Sequence, residues 1–135
     1  MAQSALPKSR TILIVENEAI IRVELDEQLV EMGYLVLVAS DADEAIELLD
    51  THPEIAVLIS DITMPGSMDG IRLARYVRGR SPSVRIIVTS GLGETPASAL
   101  PSSSIFLAKP YGLKALQAAL SEVDPALDHA DIRAV

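Results

Sequence analysis

The chain has 135 residues, 11 basic and 19 acidic, for a formal net charge of −8; a length and apolar fraction (49%) of this kind suit one globular core and exclude a mostly disordered chain. The acidity argues against gripping nucleic acid through its phosphates, and four aromatics (Tyr34, Tyr76, Phe106, Tyr111) leave little for base stacking. With no cysteine, disulfide, thiolate and Cys-type metal chemistry are excluded; two distant histidines (His52, His129) make a poor start for a histidine metal site, and with no apolar run long enough for a bilayer and no secretory signal, a cytoplasmic protein without a membrane partner is expected.

Along the chain the pattern switches between strand and helix. Ile12–Val15 is a continuous apolar, β-branched run, as in a strand buried on both faces. Ile21, Leu25, Leu29 and Met32 share one face of a helix over Glu18–Met32, with Gly33 at the C-cap. Leu35–Val38 reads as a second buried strand. Ser40 opens a helix with Asp43 placed as in a capping box and Pro53 as the stop. Ala56–Ile59 is a third strand ending at Ser60-Asp61; after a loop, a helix with Ile71, Ala74 and Val77 closes near Gly79. Val84–Val88 is a fourth strand and Ile105–Ala108 a short fifth, followed by a helix with Leu113, Leu116, Leu120 and Val123 on one stripe, stopped by Pro125. Between the last two strands, Gly91, Gly93, Pro96, Pro101 and Ser102–Ser104 leave room for one or two helical turns around Ala97–Leu100, so the fourth helix is expected to be short or irregular. Buried strands alternating with helices predict an α/β, doubly wound, five-stranded parallel sheet of flavodoxin-like order 2-1-3-4-5, with helices on both faces. Residues 11–123 are expected to form the domain, with tails at 1–10 and 124–135, the second expected to be too short for an output domain.

In such sheets ligands sit beyond the C-terminal strand ends. There this sequence places Glu16-Asn17, Asp61, Thr89-Ser90 and Lys109-Pro110 on one edge. Oxygen ligands of that kind suit Mg2+, an adjacent aspartate could accept a phosphoryl group as an acyl phosphate, and Lys109 could pair with it.

The motifs ILIVENE, SDITMPGSMDG, IIVTSG and FLAKPY stand in the order found in response-regulator receiver domains. Over about Thr11 to Val123 the chain resembles that family, in its chemotaxis-type, stand-alone single-domain form. The resemblance implies Asp61 as phosphoacceptor, with Glu16, Asn17, Asp61 and the main-chain carbonyl of Thr63 as Mg2+ positions. It further implies Thr89 and Lys109 as phosphate-stabilising residues, and Thr89 and Phe106 as the switch pair. The partners implied are a histidine kinase or histidine phosphotransfer protein and a downstream protein. Beyond its own phosphorylation and dephosphorylation the chain is not expected to be an enzyme. Three departures stand out. Asn17 replaces an acid at a metal position, which predicts weaker Mg2+ binding. The loop from Asp61 to Gly70 is one residue longer, the extra residue falling at Gly66-Ser67. Residues 92–104 are Pro- and Ser-rich where many receivers present a helix, which makes the usual dimer face doubtful and favours a monomer.

Plainer readings exist for several of these residues. Glu16-Asn17-Glu18 fits a helix N-terminus, Phe106 fits plain core, and Arg72, Arg75, Arg78 and Arg80 fit a solvated helix face that could also meet an acidic partner. The leading functional expectation is a phosphorylation switch that signals by protein contact or serves as a phosphate sink. The alternative is a degenerate receiver acting as a phosphorylation-independent binding module. An FMN-binding protein fits poorly because the loop after the first strand is acidic, and a phosphohydrolase because Asp61-Ile62-Thr63 lacks a second aspartate.

Overall fold

The computed structural model describes residues 10–64, 66, 68–91 and 100–123. Among these residues five strands and four helices follow in the order β1 (Thr11–Val15), α1 (Ala19–Glu31), β2 (Leu35–Ala39), α2 (Ala42–Thr51), β3 (Ile55–Asp61), α3 (Gly70–Arg80), β4 (Arg85–Ser90), β5 (Ser104–Ala108) and α4 (Leu113–Val123). All neighbouring strands pair in parallel, in the order β2-β1-β3-β4-β5, which is the expected 2-1-3-4-5 arrangement.

Alternate residues of each strand feed opposite faces of the sheet. Leu13, Val15, Leu58, Ile86 and Val88 pack with Ala42, Ala45, Leu73, Ala74 and Val77 under α2 and α3. Ile12, Ile14, Val57, Ile59 and Ile87 pack with Leu25, Leu29, Leu116 and Leu120 under α1 and α4. A fully buried Leu or Ile of this kind stabilises the fold by roughly 1.5–3 kcal/mol.

The reading of five strands buried on both faces holds for the central β1, β3 and β4. It fails at the edge: Leu35 of β2 is 56% exposed and Val38 39%. A continuous apolar run marks a strand without saying whether a second neighbour covers it. α1 differs similarly, since Leu25 and Leu29 are buried but Ile20, Val23 and Val30 form a second apolar stripe open to solvent. In α4, Leu113 lies outside the buried stripe of Leu116, Leu120 and Val123.

Helix ends also depart from expectation. The N-cap of α2 is Asp41, not Ser40: its carboxylate accepts the Glu44 N–H at 2.9 Å. Glu44, rather than Asp43, reaches back, taking the Ser40 N–H and Oγ–H at 2.6 and 2.9 Å. The capping box is thus shifted by one residue. Gly33 does follow the C-cap of α1 with φ 102, a left-handed conformation open to glycine. The helical turns expected at 97–100 fall, apart from Leu100, outside the described residues, as do the tails at 1–9 and 124–135. Leu100 packs against the core under α2 and α3.

Of the four arginines on α3, Arg78 is no part of a solvated face. Its guanidinium donates to the carbonyls of Ser102 (3.3 Å), Pro82 (3.1 Å) and Val84 (2.9 Å), tying the end of α3 to the approaches of β4 and β5.

Candidate functional site

Parallel strands deliver their C-terminal ends to one edge, and that edge carries the buried polar residues Glu16, Ser60, Asp61, Thr89 and Ser90. Glu16 directly follows β1 and extends its ladder, donating its N–H to the Ala39 carbonyl at 3.0 Å. Its side chain, 4% exposed, accepts the Glu18 N–H through Oε2 (3.0 Å) and the Lys109 ammonium through Oε1 (3.1 Å). The carboxylate therefore satisfies an orphan donor at the start of α1 while facing into the edge. Glu18 is the N-cap by backbone alone, with no side-chain capping bond.

Asp61 closes β3 and is buried; its Oδ2 accepts from Lys109 Nζ at 3.0 Å. Ser60 Oγ–H donates to its carbonyl at 3.1 Å. The chain then leaves β3 held from both sides. The Ile62 N–H donates to the Thr89 carbonyl (2.9 Å), and the Ile62 carbonyl accepts the Gly70 N–H (2.8 Å). Gly70 is a position that demands glycine: a Cβ there would overlap the Asp61 carbonyl oxygen and crowd Ile62 Cα at 2.8 Å. The start of α3, capped by Asp69 on the Arg72 N–H (2.9 Å), is thereby pressed onto the backbone that carries Asp61. Within the intervening loop, Gly66 adopts φ 104, again in the range that favours glycine.

Thr89 lies opposite Asp61 in the β3–β4 register and is buried, as is Ser90. Lys109 is fixed at both ends: its N–H donates to the Ser90 carbonyl at 2.7 Å, and its ammonium joins the two carboxylates. The Lys109–Pro110 peptide is cis. Burial works against the Lys109 charge, but the hydrogen bonds to Asp61 and Glu16 outweigh it and hold the ammonium above its ordinary pKa.

The structure therefore joins Glu16, Asp61 and Lys109 directly and sets Thr89 beside Asp61. Asn17 and Thr63 are exposed on the rim. The main-chain carbonyls of Glu16 and Asn17 accept from Arg22 Nη1 at 2.8 and 3.4 Å. Phe106, half-buried, packs against the core under α2 and α3 and pairs with Val88.

Sequence reasoning gave Tyr111 no role. It lines a cavity of about 390 Å3 with Ile21, Glu24, Leu25, Gln28, Lys109 and Pro110, opening between α1 and the β5–α4 connection next to Lys109. Burial raises the pKa of its hydroxyl, against a weaker opposite pull from the Lys109 ammonium. The signal available was its place in FLAKPY, directly after the lysine and proline.

Residues 12–121 match the family model of the response regulator receiver domain. The chain belongs to that family. It is similar to a response regulator receiver protein from Sinorhizobium medicae, at 30% identity and a TM-score of 0.78, covering 91% of this chain and 98% of that one. It is also similar to the chemotaxis response regulator CheY4 of Vibrio cholerae, at 25% identity and a TM-score of 0.74, covering 85% and 98%. Among curated relatives, the sensor kinase CckA of Brucella abortus is 35% identical over 122 residues, 87% of this chain but 13% of that protein. The transcriptional regulatory protein PdtaR of Mycobacterium tuberculosis is 37% identical over 91 residues, 66% of this chain and 42% of that protein. The chain thus spans less than half the length of these curated relatives. Receiver domains are signalling domains of two-component systems, not enzymes of the ordinary kind. Among the described residues no helix is long and apolar enough to cross a membrane.

Proposed function

We propose that this receiver is a phosphorylation switch in which Asp61 accepts a phosphoryl group from a phosphohistidine donor. The observation that carries this reading is the contact of Lys109 Nζ with both Asp61 Oδ2 (3.0 Å) and Glu16 Oε1 (3.1 Å) at the strand ends. An Asp61 carboxylate oxygen attacks phosphorus as the N–P bond of the donor breaks, and the imidazole leaves with its electron pair and takes up a proton. The Lys109 ammonium, already in place, pairs with charge on the transferred group without reorganising. Thr89, one strand away, supplies a hydroxyl that turns toward the phosphoryl group, and Phe106 follows it.

The donor set fits Mg2+: oxygen atoms only, with two carboxylates, Glu16 and Asp61, joined by Asn17 and the Thr63 carbonyl on the rim. When bound, Mg2+ supplies neutralisation of phosphoryl charge. The partners that suit this reading are a histidine kinase or histidine phosphotransfer protein. The exposed Ile20 and Val23 of α1 and the cavity beside Lys109 offer apolar surface next to the acceptor for such a donor.

One observation favours a second reading, a phosphorylation-independent binding module: the neutral Asn17 where an acid would add charge for a cation. Intact-mass measurement after incubation with acetyl phosphate separates the two. A gain of one phosphoryl group that requires Mg2+ and disappears in Asp61→Ala supports the switch. A folded protein that gains nothing, from acetyl phosphate or from a phosphorylated histidine phosphotransfer domain, supports the module.

A further inference from the structure

Charge is distributed very unevenly along this chain. Residues 16–54 hold twelve carboxylates and one arginine, whereas residues 70–85 hold five arginines and no carboxylate. Most of that positive block is α3, and with Arg78 turned inward to three carbonyls, Arg72, Arg75 and Arg80 remain on its exposed side. Arg72, Tyr76 and Arg80 follow one another at four-residue spacing, which aligns them along one stripe of the helix. Tyr76 is 38% exposed. The Arg80 guanidinium lies 5.8 Å from the centre of its ring and donates to its hydroxyl at 2.8 Å, while also pairing with Asp50 of α2. The aromatic ring is thus held in place while still facing solvent. Beside it Gly79 is open, with no atom within 4 Å of where a Cβ would stand, so a partner can approach the backbone closely. Among the described residues Arg72 forms no ion pair.

We propose that the Arg72–Tyr76–Arg80 stripe of α3 is a docking surface for an acidic protein segment that lays an apolar side chain against Tyr76 beside Gly79. Arginine and tyrosine are the residue types that anchor protein interfaces, because a planar guanidinium can hold a carboxylate with two hydrogen bonds and a tyrosine buries much area at small entropic cost. Pre-positioning of Tyr76 by Arg80 lowers that cost further. A nucleic acid is disfavoured, since the stripe offers only two guanidinium groups, one of them already paired with Asp50, too few to neutralise a run of phosphates on a chain of net charge −8. A second copy is disfavoured as well. It would have to offer its acidic side to this basic one, a head-to-tail contact that leaves both surfaces open at the ends and grows into chains. The surface uses none of Glu16, Asp61 or Lys109, so it stands apart from the phosphorylation reading.

Fluorescence anisotropy with a labelled amphipathic peptide of Glu and Leu tests the proposal, beside a peptide with Lys in place of Glu and a labelled oligothymidylate. The Lys peptide, drawn to the carboxylates of residues 16–54, binds wild type and Arg72→Glu alike, and the expected result is saturable binding of the acidic peptide in preference to the oligothymidylate. Arg72→Glu should weaken it about tenfold and flatten its salt dependence, and Tyr76→Ala should weaken it several-fold with the salt dependence kept. Both positions are exposed, and circular dichroism melts matching wild type exclude loss of fold. No binding of the acidic peptide, its equal binding by wild type and Arg72→Glu, preference for the oligothymidylate, or concentration-dependent self-association abolished by Arg72→Glu would each overturn the proposal.

Discussion

Lys109 holds two buried carboxylates at once, so its loss leaves Glu16 and Asp61 without their cation. Lys109→Met is expected to destabilise the fold by about 2 kcal/mol near neutral pH, read by urea unfolding. The sign with pH follows from the raised pKa of the ammonium: its contribution is complete below the ordinary lysine value of about 10.4 and is lost as pH rises through the higher folded value. The gap between wild type and Lys109→Met should therefore be constant from neutral pH to about pH 10 and close only above it. A gap that closes below about pH 9 would contradict the pairing. Asn17 acts at the same edge in the opposite sense. Asn17→Asp adds a carboxylate to the rim, and magnesium titration by calorimetry should show roughly tenfold tighter binding than wild type. Glu16, Asp61 and Lys109 were legible in the sequence because each ends or follows an apolar run, and a parallel sheet gathers such ends. Arg78 and Tyr111 were not. Arg78 turns to carbonyls four, six and twenty-four residues on and Tyr111 lines a cavity against α1, and apolar periodicity encodes neither.

At the level of elements, the join between β3 and α3 is the least tolerant point. Gly70 lies against the Asp61 carbonyl with no room for a Cβ, and backbone on that side cannot swing away as a side chain could. Gly70→Ala is expected to lower the melting temperature sharply, by several kcal/mol in stability, and to displace the loop before α3. Gly79→Ala, nine residues further along the same helix and open to solvent, serves as the control and should be neutral or slightly stabilising. The central strands could be read directly because burial on both faces makes them continuously apolar. The edge strand β2 could not be told from them, since Leu35 and Val38 keep the same residue types while facing water. α1 posed the same problem in helical form: its inner and outer stripes are both apolar, and only the packed sheet decides which is inside. The shifted cap of α2 turned on one residue, because Ser40, Asp41 and Asp43 are all capping types and the choice depends on where the strand before them ends.

For the whole molecule, the order of the sheet follows from alternation and handedness, and it could be stated before any contact was known. What assembles the edge is more distant than any helix or turn. The two bonds of Lys109 reach across 93 residues to Glu16 and 48 to Asp61. A chain truncated before β5 is accordingly expected to lose both cooperative unfolding and any labelling by acetyl phosphate, checked by calorimetry and intact mass on the same sample. The same long reach governs the protein while it is being made. Translation delivers Glu16 first and Asp61 midway, and a growing polypeptide exposes both acids long before the lysine that joins them has left the ribosome. Under the proposed function, a half-finished chain is therefore deaf to its kinase, and hearing begins only when the last strand has closed the sheet.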